Sequence, residues 1–410
     1  MRILFLSSWF PCPSINGAKI RVNNLLRALG QKHDVTLVAF VNTLPWHEVE
    51  NQARVLEHIY TRVIAIPSPP IDAIRSKLGY LSPFPRHLVA RPSPAMEQAI
   101  TRLVTEQEFD VVIASEVGAA DGVSYYAAKM SSLKHIPKIL DCLEIALYLD
   151  RKLTGTWTKR LRHELTWIKA SGYLRWLLRR FDACTVPSIA EYENIKPLAP
   201  SNLRLEILPH SLDLDYLGRD PNVRPTPNSL IYSGSLSYFP NKDAVEFFLC
   251  EILPTVRQVI PDIKFKVLGD TADFETDKWQ HDPAVEFCGL FKDVRLPIRH
   301  SWACIVPLRE GSGTRVKIIE AMALGTPVIA TSKGAEGLDV TSEENILIAD
   351  APAEFAAQTV RLLRDPGLRQ QLAKNGRRLV EQKYDWRVIG EQFNQLVESV
   401  LERGKPRDLH

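Results

Sequence analysis

Residues 308–331, LREGSGTRVKIIEAMALGTPVIAT, place two glycines, two hydroxyl side chains and two cations directly before a predicted helix. The preceding WACIVPL is predicted to be a strand, and VKIIEAMAL a helix that is closed by Gly325 and Pro327. A loop at the carboxyl end of a strand and the amino end of a helix presents unpaired N–H groups and partial positive charge. Such a loop suits a phosphate or a diphosphate.

The side chains of this stretch suit different parts of a nucleotide. Arg315 offers a planar fork of donors and Lys317 a mobile cation. Glu320 would repel phosphate, but its carboxylate suits the two vicinal hydroxyls of a ribose. The alternative is a glycine-rich turn with solvated cations and a Lys317–Glu320 pair. The candidate donor-binding residues here are Gly311, Ser312, Gly313, Thr314, Arg315, Lys317 and Glu320.

Two other loops have the same order of strand, small residues and helix. YSGSLSYFPNKDAVEFF contributes Gly234 and Ser235, whose backbone and hydroxyl groups can donate to an anion. SINGA, after the first strand of the chain, contributes Gly17 ahead of a helix that carries Arg21. We expect Gly17 and Arg21 to face the diphosphate from the other domain.

The elements that must position these loops alternate between strand and helix. RILFLSS, AKIRVNNLLRALGQ and HDVTLVAF form a βαβ unit, which implies a parallel sheet covered on both faces. Further strands are predicted at 62–67, 109–115, 137–142 and 183–188, and a Pro-rich stretch between 66 and 95 is expected to be an irregular loop. The α/β pattern begins again near residue 229. The prediction is an α/β protein with two Rossmann-like domains whose parallel sheets face each other across a cleft.

Composition excludes several classes of protein. With 410 residues, 45% hydrophobic and 24% charged, the chain is long enough for two globular domains, and a net charge of +3 does not argue for nucleic acid. The six cysteines have no zinc spacing, which indicates reduced thiols in a cytosolic protein. No run of about 18 apolar residues predicts a transmembrane helix. Asp213 and Asp215 form a D-x-D pair, but two carboxylates do not make a metal site, and no metal is predicted.

Several stretches together resemble a known family: GSGTRVKIIEAMALGTPVIAT, YSGSLSYFPNKDAVEFF, FKVLGD, VEFCGLFKDV and YDWRVIGEQFNQL. They are similar to GT-B-fold retaining glycosyltransferases, the large bacterial family that uses nucleotide sugars, in the branch with G-x-G-T-R-x-K-x-x-E. The resemblance implies an acceptor-side domain over 1–205, a donor-binding domain over 206–385, and a helix at about 386–404 that packs back on the first domain. It also implies transfer with retained anomeric configuration, without an essential metal.

Carried onto this chain, the family pattern implies that Arg315 and Lys317 neutralise the diphosphate leaving group and that Glu320 binds ribose hydroxyls. Gly289 and Leu290 would lie near the base. The family's second glutamate position is Ser312 here, and Glu310 lies two positions earlier.

The family's usual histidine near the reacting sugar is replaced by Asp141, and its PNGVD reads PHSLD. His210 in that stretch is interpreted as a hinge or core residue. Asp141 and Glu116, near strand ends of the first domain, are the candidates for orienting sugar or acceptor, and they complete a catalytic set with Arg315 and Lys317.

Residues 151–180 contain nine Lys or Arg and one acid, Glu164, together with Trp157, Trp167 and Trp176. Basic residues mixed with tryptophan suit an anionic membrane surface, although a solvated basic helix face is the alternative. The hypothesis is a reversible peripheral contact of a cytoplasmic protein with the inner face of the membrane, which would bring in a lipid-linked acceptor.

The predicted function is a metal-independent hexosyltransferase that moves a sugar from a UDP- or GDP-linked donor to a sugar or lipid-linked acceptor, in cell-surface polysaccharide or glycolipid synthesis. The nucleotide sugar is a cosubstrate, and no resident cofactor is expected. The alternatives are a nucleotide-sugar 2-epimerase or hydrolase, and a non-catalytic nucleotide-binding subunit. A dinucleotide dehydrogenase is disfavoured because no G-x-G-x-x-G follows either first strand.

Overall fold

The computed structural model divides the chain into two compact units. Unit 1 comprises Met1–Ser211 and Trp386–His410, and unit 2 comprises Leu212–Asp385. The structure describes all residues except 15–16, 42–43, 58–59, 85, 87–88, 90, 117–121, 144–156, 219–222, 273, 292, 312, 314 and 405–410.

Unit 1 is built on a parallel sheet of seven strands with helices between them. The strands are β1 (Arg2–Ser7), β2 (Asp34–Val41), β3 (Arg62–Pro67), β4 (Val111–Glu116), β5 (Lys138–Cys142), β6 (Ala183–Val186) and β7 (Arg204–Ile207). The α-helices are α1 (Gly17–Gly30), α2 (Trp46–Glu57), α3 (Ala73–Leu78), α4 (Pro94–Glu106), α5 (Val123–Lys129), α6 (Trp157–Leu178) and α7 (Ile189–Ile195), and two 3₁₀ turns cover Ser131–Leu133 and Lys196–Leu198. The strand order is β3-β2-β1-β4-β5-β6-β7.

Unit 2 repeats this design with six parallel strands in the order β10-β9-β8-β11-β12-β13. The strands are β8 (Thr226–Ser233), β9 (Lys264–Leu268), β10 (Val285–Gly289), β11 (Ser301–Val306), β12 (Val328–Ala330) and β13 (Leu347–Ile348). The helices are α8 (Phe239–Phe247), a π-helical turn (Phe248–Ile252), α9 (Leu253–Val259), a 3₁₀ turn (Thr276–Lys278), α10 (Arg295–Arg299), α11 (Val316–Ala323), α12 (Pro352–Arg364) and α13 (Pro366–Lys383). The last helix, α14 (Trp386–Gly404), returns to unit 1.

Each sheet has helices on both faces, which explains its continuous apolar strands. In β1 every residue after Arg2 is buried. The strand order reverses between β1 and β4 in unit 1 and between β8 and β11 in unit 2. A crevice at the carboxyl ends of the strands forms at such a reversal, and it is the usual ligand position in this class of sheet. The predicted α/β class with two parallel-sheet domains is confirmed.

Two local expectations need correction, the domain boundary and the Pro-rich stretch. The predicted boundary after residue 205 would cut through β7, which pairs with β6, so unit 1 extends to Ser211. The Pro-rich stretch is not wholly irregular, since it contains α3. The helical segment after β8 is interrupted near Pro254 and consists of α8, the π-helical turn and α9, because proline cannot donate to the carbonyl four residues earlier.

The final helix packs on α1 at a point where two small residues meet. A side chain at Gly390 would collide with the methyl group of Ala28, so glycine allows the close approach. Among the helices that the structure describes, none combines the length and the apolarity needed to cross a bilayer.

Candidate functional site

The candidate site of unit 2 begins where β8, β9 and β10 end, because their terminal residues are joined by backbone hydrogen bonds. The N–H of Gly234 donates to the carbonyl of Leu268 over 2.8 Å, and the N–H of Gly269 donates to the carbonyl of Gly289 over 2.9 Å. These bonds place the Gly/Ser loop that follows β8 at the same sheet edge as the predicted base-side residue Gly289, with the end of β9 between them. Leu290, the next residue, is largely exposed.

Lys317, one residue into α11, extends its ammonium group to the end of β8. Its Nζ donates to the Tyr232 hydroxyl over 2.9 Å and to Asn241 Oδ1 over 2.9 Å, and it lies 4.2 Å from the centre of the Tyr232 ring. Among the described residues no carboxylate lies within ion-pair distance of this ammonium. The predicted alternative, a Lys317–Glu320 pair, is therefore not formed.

Burial lowers the pKa of Lys317 to about 7, and the charge of Arg315 acts in the same direction. An added anion would favour the charged form and raise this pKa. One of the three ammonium N–H groups is left for a ligand after the bonds to Tyr232 and Asn241. The ammonium is therefore arranged to receive a negatively charged group.

Gly234 leaves room for this ammonium, and a side chain there would displace it. A Cβ at residue 234 would lie 2.6 Å from Lys317 Nζ and 2.9 Å from Asn241 Nδ2. Asn241 holds the loop by donating from Nδ2 to the carbonyl of Ser235 over 2.8 Å. The predicted residues Gly234, Ser235 and Lys317 are thus brought together, with Asn241 as the link.

The loop between β11 and α11 carries the second predicted cation, Arg315. Its side chain is buried beside Gly311, where a Cβ would lie 3.2 Å from Arg315 Nη2 and 3.1 Å from Cβ of Pro240. Gly311 also has a left-handed φ of 108°, a conformation that favours glycine. Arg309 ties the same loop to α8 through two bonds to Asp243, of 2.6 and 3.0 Å.

Glu320 lies one turn after Lys317 on α11 and is partly buried. Burial raises the pKa of its carboxyl group, and the charge of Lys317 only partly opposes this shift. No hydrogen bond or ion pair of this carboxylate is present in the described part of the chain. Of the other predicted residues in the loop, Gly313 has a left-handed φ of 81°, and Ser312 and Thr314 lie outside the described residues.

Two residues of this site, Tyr232 and Asn241, are missed by the sequence reasoning. Both lie within the quoted stretch YSGSLSYFPNKDAVEFF, one just before the Gly/Ser loop and one at the start of the following helix. Their positions at a strand end and a helix start are the signal that could have found them.

The assignment of Asp141 to sugar or acceptor is corrected by the structure. Its carboxylate is fully buried and pairs with Arg21, with Nη2 and Oδ1 2.7 Å apart. Ser115 and Thr185 each donate to it over 2.7 Å. Burial alone would raise the pKa of Asp141, but the Arg21 charge and these hydrogen bonds outweigh burial and lower it. Asp141 is therefore a structural ion, and Arg21 is not directed at a diphosphate.

Glu116 also has a structural position. Its side chain is buried at the end of β4, where Oε1 accepts from the Ser124 hydroxyl over 2.7 Å and Oε2 accepts from the Ser124 N–H over 3.2 Å. Both oxygens thus hold the first turn of α5. This contact gives no support to a catalytic role.

Gly17 is partly exposed at the first position of α1, and His210 hydrogen-bonds to its backbone. Burial lowers the pKa of His210 to about 3, so the imidazole is neutral at physiological pH. Asp213 Oδ1 accepts from the N–H groups of Asp215 and Tyr216, which makes it a turn residue. No group of three or more metal-ligating side chains occurs in the described part of the chain.

The basic segment 151–180 is described from residue 157 onwards. Trp157 is exposed, Trp167 is half-buried, and Trp176 stacks on Tyr173 at 5.8 Å in an aromatic cluster. The three tryptophans of this segment therefore have different environments, and only Trp157 is exposed.

Comparison with known proteins finds similarity to glycosyltransferases. The first relative is the phosphatidyl-myo-inositol mannosyltransferase of Mycobacterium leprae, 24% identical over 323 residues that cover 76% of this chain and 79% of the relative. A solved structure of Anabaena Alr3699/HepE in complex with UDP and glucose matches with a TM-score of 0.68, 15% identity, and coverage of 97% of this chain and 100% of that chain. The sucrose-phosphate synthase tll1590 of Thermosynechococcus elongatus also matches with a TM-score of 0.68, at 18% identity over 98% of this chain and 100% of that chain. The family model of glycosyl transferases group 1 matches residues 227–365.

Over residues 227–365 the chain is similar to the group 1 glycosyltransferases, and its fold is GT-B. The matched residues lie within unit 2, and they contain the whole Lys317 cluster. The segment that matches the family model and the candidate anion site therefore coincide.

Proposed function

We propose that this glycosyltransferase moves a sugar from a nucleoside-diphosphate donor to a hydroxyl acceptor and that the donor diphosphate binds at the Lys317 cluster of unit 2. The observation that carries the proposal is the ammonium of Lys317, which is held by Tyr232 and Asn241 with no carboxylate within ion-pair distance in the described residues. A partly buried cation without a neutralising partner is stabilised by a bound anion.

The chemistry of transfer requires stabilisation of the negative charge that develops on the leaving diphosphate. Arg315 and Lys317 supply it from the residue before α11 and from the first turn of α11, so the proposed reaction proceeds without an essential metal. Glu320 accepts from the ribose hydroxyls, and Gly289 with Leu290 lies at the base. The donor is UDP- or GDP-linked and acts as a cosubstrate, and the protein has no resident cofactor in this proposal.

We infer a retaining reaction, in which the acceptor hydroxyl attacks from the face that the diphosphate leaves. The leaving phosphate then takes the proton of the acceptor, so no protein base is needed. This reaction is compatible with the structural positions of Asp141 and Glu116. The acceptor is a sugar or a lipid-linked hydroxyl in cell-surface polysaccharide or glycolipid synthesis, at the cytoplasmic face of the membrane. The mannosyltransferase named for a phosphatidyl-inositol substrate supports the lipid option.

A thermal-shift panel with UDP, GDP, ADP, CMP and NAD tests the proposal. A ligand at about 100 times its Kd stabilises the folded protein by roughly 2.7 kcal/mol, which is a measurable shift. We expect one nucleoside diphosphate to shift the wild type and to shift Lys317→Met much less. Lys264→Met is the matched control, because Lys264 lies at the opposite end of β9 from the site. No shift with any nucleotide, or an equal shift in Lys317→Met, would contradict the site.

A further inference from the structure

The amino-terminal half of α6 projects from unit 1 with an exposed apolar row. From 157 to 169 no described side chain of this helix is buried, whereas Ala170 and Leu174 are packed in the core. The exposed row consists of Trp157, Leu161, Leu165 and Ile168. At 3.6 residues per turn these four positions span an arc of roughly 80°, so they line one side of the helix.

A second exposed apolar segment lies next to the same helix. It consists of Ile71, Ile74, Leu78 and Leu81, around the short helix α3. Lys169 of α6 donates from Nζ to the carbonyl of Tyr80 over 2.5 Å. Phe84 packs edge-on against Trp176 at 5.4 Å and Tyr173 at 6.1 Å. The two segments are therefore attached to each other, and we call the eight exposed apolar side chains the apolar ridge.

The ridge is flanked by positive charge. Arg75 and Lys77 are exposed on α3, and Arg160 and Arg175 are exposed on α6. The acid of α6, Glu164, is half-buried, and Asp72 caps α3 by accepting from the N–H of Arg75 over 2.9 Å. The charges that accompany the apolar side chains are thus mainly basic.

We propose that the apolar ridge docks this glycosyltransferase on an anionic phospholipid bilayer, with the eight apolar side chains in the headgroup region and the flanking Arg and Lys on lipid phosphates. This proposal specifies the surface that makes the membrane contact of the proposed function. It rests on that function, because the contact serves access to a lipid-linked acceptor. Contiguous exposed apolar side chains mark an interaction site, and a basic border selects an anionic partner.

The composition of the ridge favours a bilayer over a protein partner. Its side chains are exposed on α6 and on and around α3. A mixture of tryptophan, leucine and isoleucine above basic residues is the composition of helices that lie in a membrane interface. Basic side chains with long aliphatic stems can reach the phosphates while the apolar row is inserted.

The test is co-sedimentation of the full chain with vesicles of phosphatidylcholine mixed with phosphatidylglycerol, and with vesicles of phosphatidylcholine alone. The test variant is Leu165→Gln with Ile168→Gln, at positions that are 52% and 56% exposed. The control is Leu296→Gln with Ile189→Gln, at positions that are 49% and 57% exposed on other elements. We expect binding to the anionic vesicles to fall ~10-fold or more in the ridge variant and to stay unchanged in the control, since each buried aliphatic side chain contributes about that factor.

Three results would overturn the docking surface. The first is no binding of the wild type to the anionic vesicles, and the second is an equal loss of vesicle binding in the control variant. The third is a ridge variant that loses a dimer, measured by light scattering, while its vesicle binding is unchanged. Nucleotide thermal shifts are measured on the same variants. If the ridge variant keeps its nucleotide-induced thermal shift but loses vesicle binding, the ridge binds vesicles independently of the donor site. Absence of the nucleotide shift in every protein would contradict the proposed function alone.

Discussion

Lys317 is held by Tyr232 in two ways, through a hydrogen bond of 2.9 Å from Nζ to the phenol oxygen and through the ring face, 4.2 Å from Nζ to the centroid. Both contacts orient the ammonium without neutralising it, since the phenol is uncharged. Burial raises the pKa of the Tyr232 hydroxyl well above its ordinary value, so it remains protonated. The positive charge is thus available to a ligand.

Replacement of either cation should slow sugar transfer. Lys317→Ala and Arg315→Ala are each expected to reduce turnover by ~10²-fold or more, the scale of losing one donor to a developing negative charge. The measurement is the initial rate of nucleoside-diphosphate release in the presence of acceptor. Lys264→Ala, at the opposite end of β9, should keep the wild-type rate. Near-normal rates in both site variants would refute the diphosphate assignment.

The depressed pKa of Lys317 predicts proton uptake on nucleotide binding. Burial lowers this pKa to about 7, so the unliganded protein at about pH 8.5 carries mostly neutral lysine there. A diphosphate favours the ammonium, and binding must then take up a proton, so the contribution of Lys317 to affinity falls as pH rises above about 7 and is flat below it. Calorimetry in two buffers with different ionisation heats measures the uptake. Lys317→Arg, which stays charged, should abolish it, and equal heats in both buffers for the wild type would rule it out.

Gly234 should be intolerant of even one methyl group. A Cβ there would press on Lys317 Nζ and Asn241 Nδ2, so Gly234→Ala displaces the ammonium from its place. We expect nucleotide affinity to fall roughly 10-fold, the equivalent of about 1.4 kcal/mol, with the fold retained. The control is Gly172→Ala, where a Cβ would meet nothing within 4 Å. Equal affinities for the two variants and the wild type would show that the ammonium does not contact the nucleotide.

How well the sequence predicts a contact in this protein depends on how far apart the two residues lie along the chain. The loop glycines, Arg315 and Lys317 are close in the chain, and their order between a strand and a helix indicates an anion site directly. Tyr232 and Asn241 reach Lys317 from 85 and 76 residues away, a relation that no local pattern encodes. Strands such as β1 are predictable from their apolar runs, whereas β13 has two residues and shows no pattern.

For Asp141, the local sequence indicates a functional role because its distant partner is not visible in the sequence. Its position at the end of a predicted strand is typical of a ligand-binding residue. The partner that neutralises it, Arg21, lies 120 residues earlier, and sequence spacing does not reveal that the two meet. The pairing turns an apparent catalytic acid into part of the core of unit 1.

The Arg21–Asp141 pair should matter for stability and not for nucleotide binding. Asp141→Asn leaves the buried Arg21 charge with only neutral acceptors, including the carbonyls of Leu208 at 2.7 Å and Pro209 at 2.9 Å. We expect a loss of about 3–5 kcal/mol in the free energy of unfolding, the usual cost of breaking a buried ion pair from one side. The nucleotide-induced thermal shift should persist.

Equilibrium urea unfolding measures this loss, and Glu391→Gln is the control. Glu391 pairs with Lys32 at the same 2.7 Å distance, but both side chains are about half exposed, so the transition midpoint should barely change. Because the pKa of Asp141 is lowered on folding, its stabilisation is present above the unfolded value of about 3.9 and is lost as pH falls through the folded value. Asp141→Asn should therefore remove part of the acid sensitivity of unfolding. If Asp141→Asn is as stable as Glu391→Gln but cannot transfer sugar, Asp141 contacts the substrate and the structural assignment is wrong.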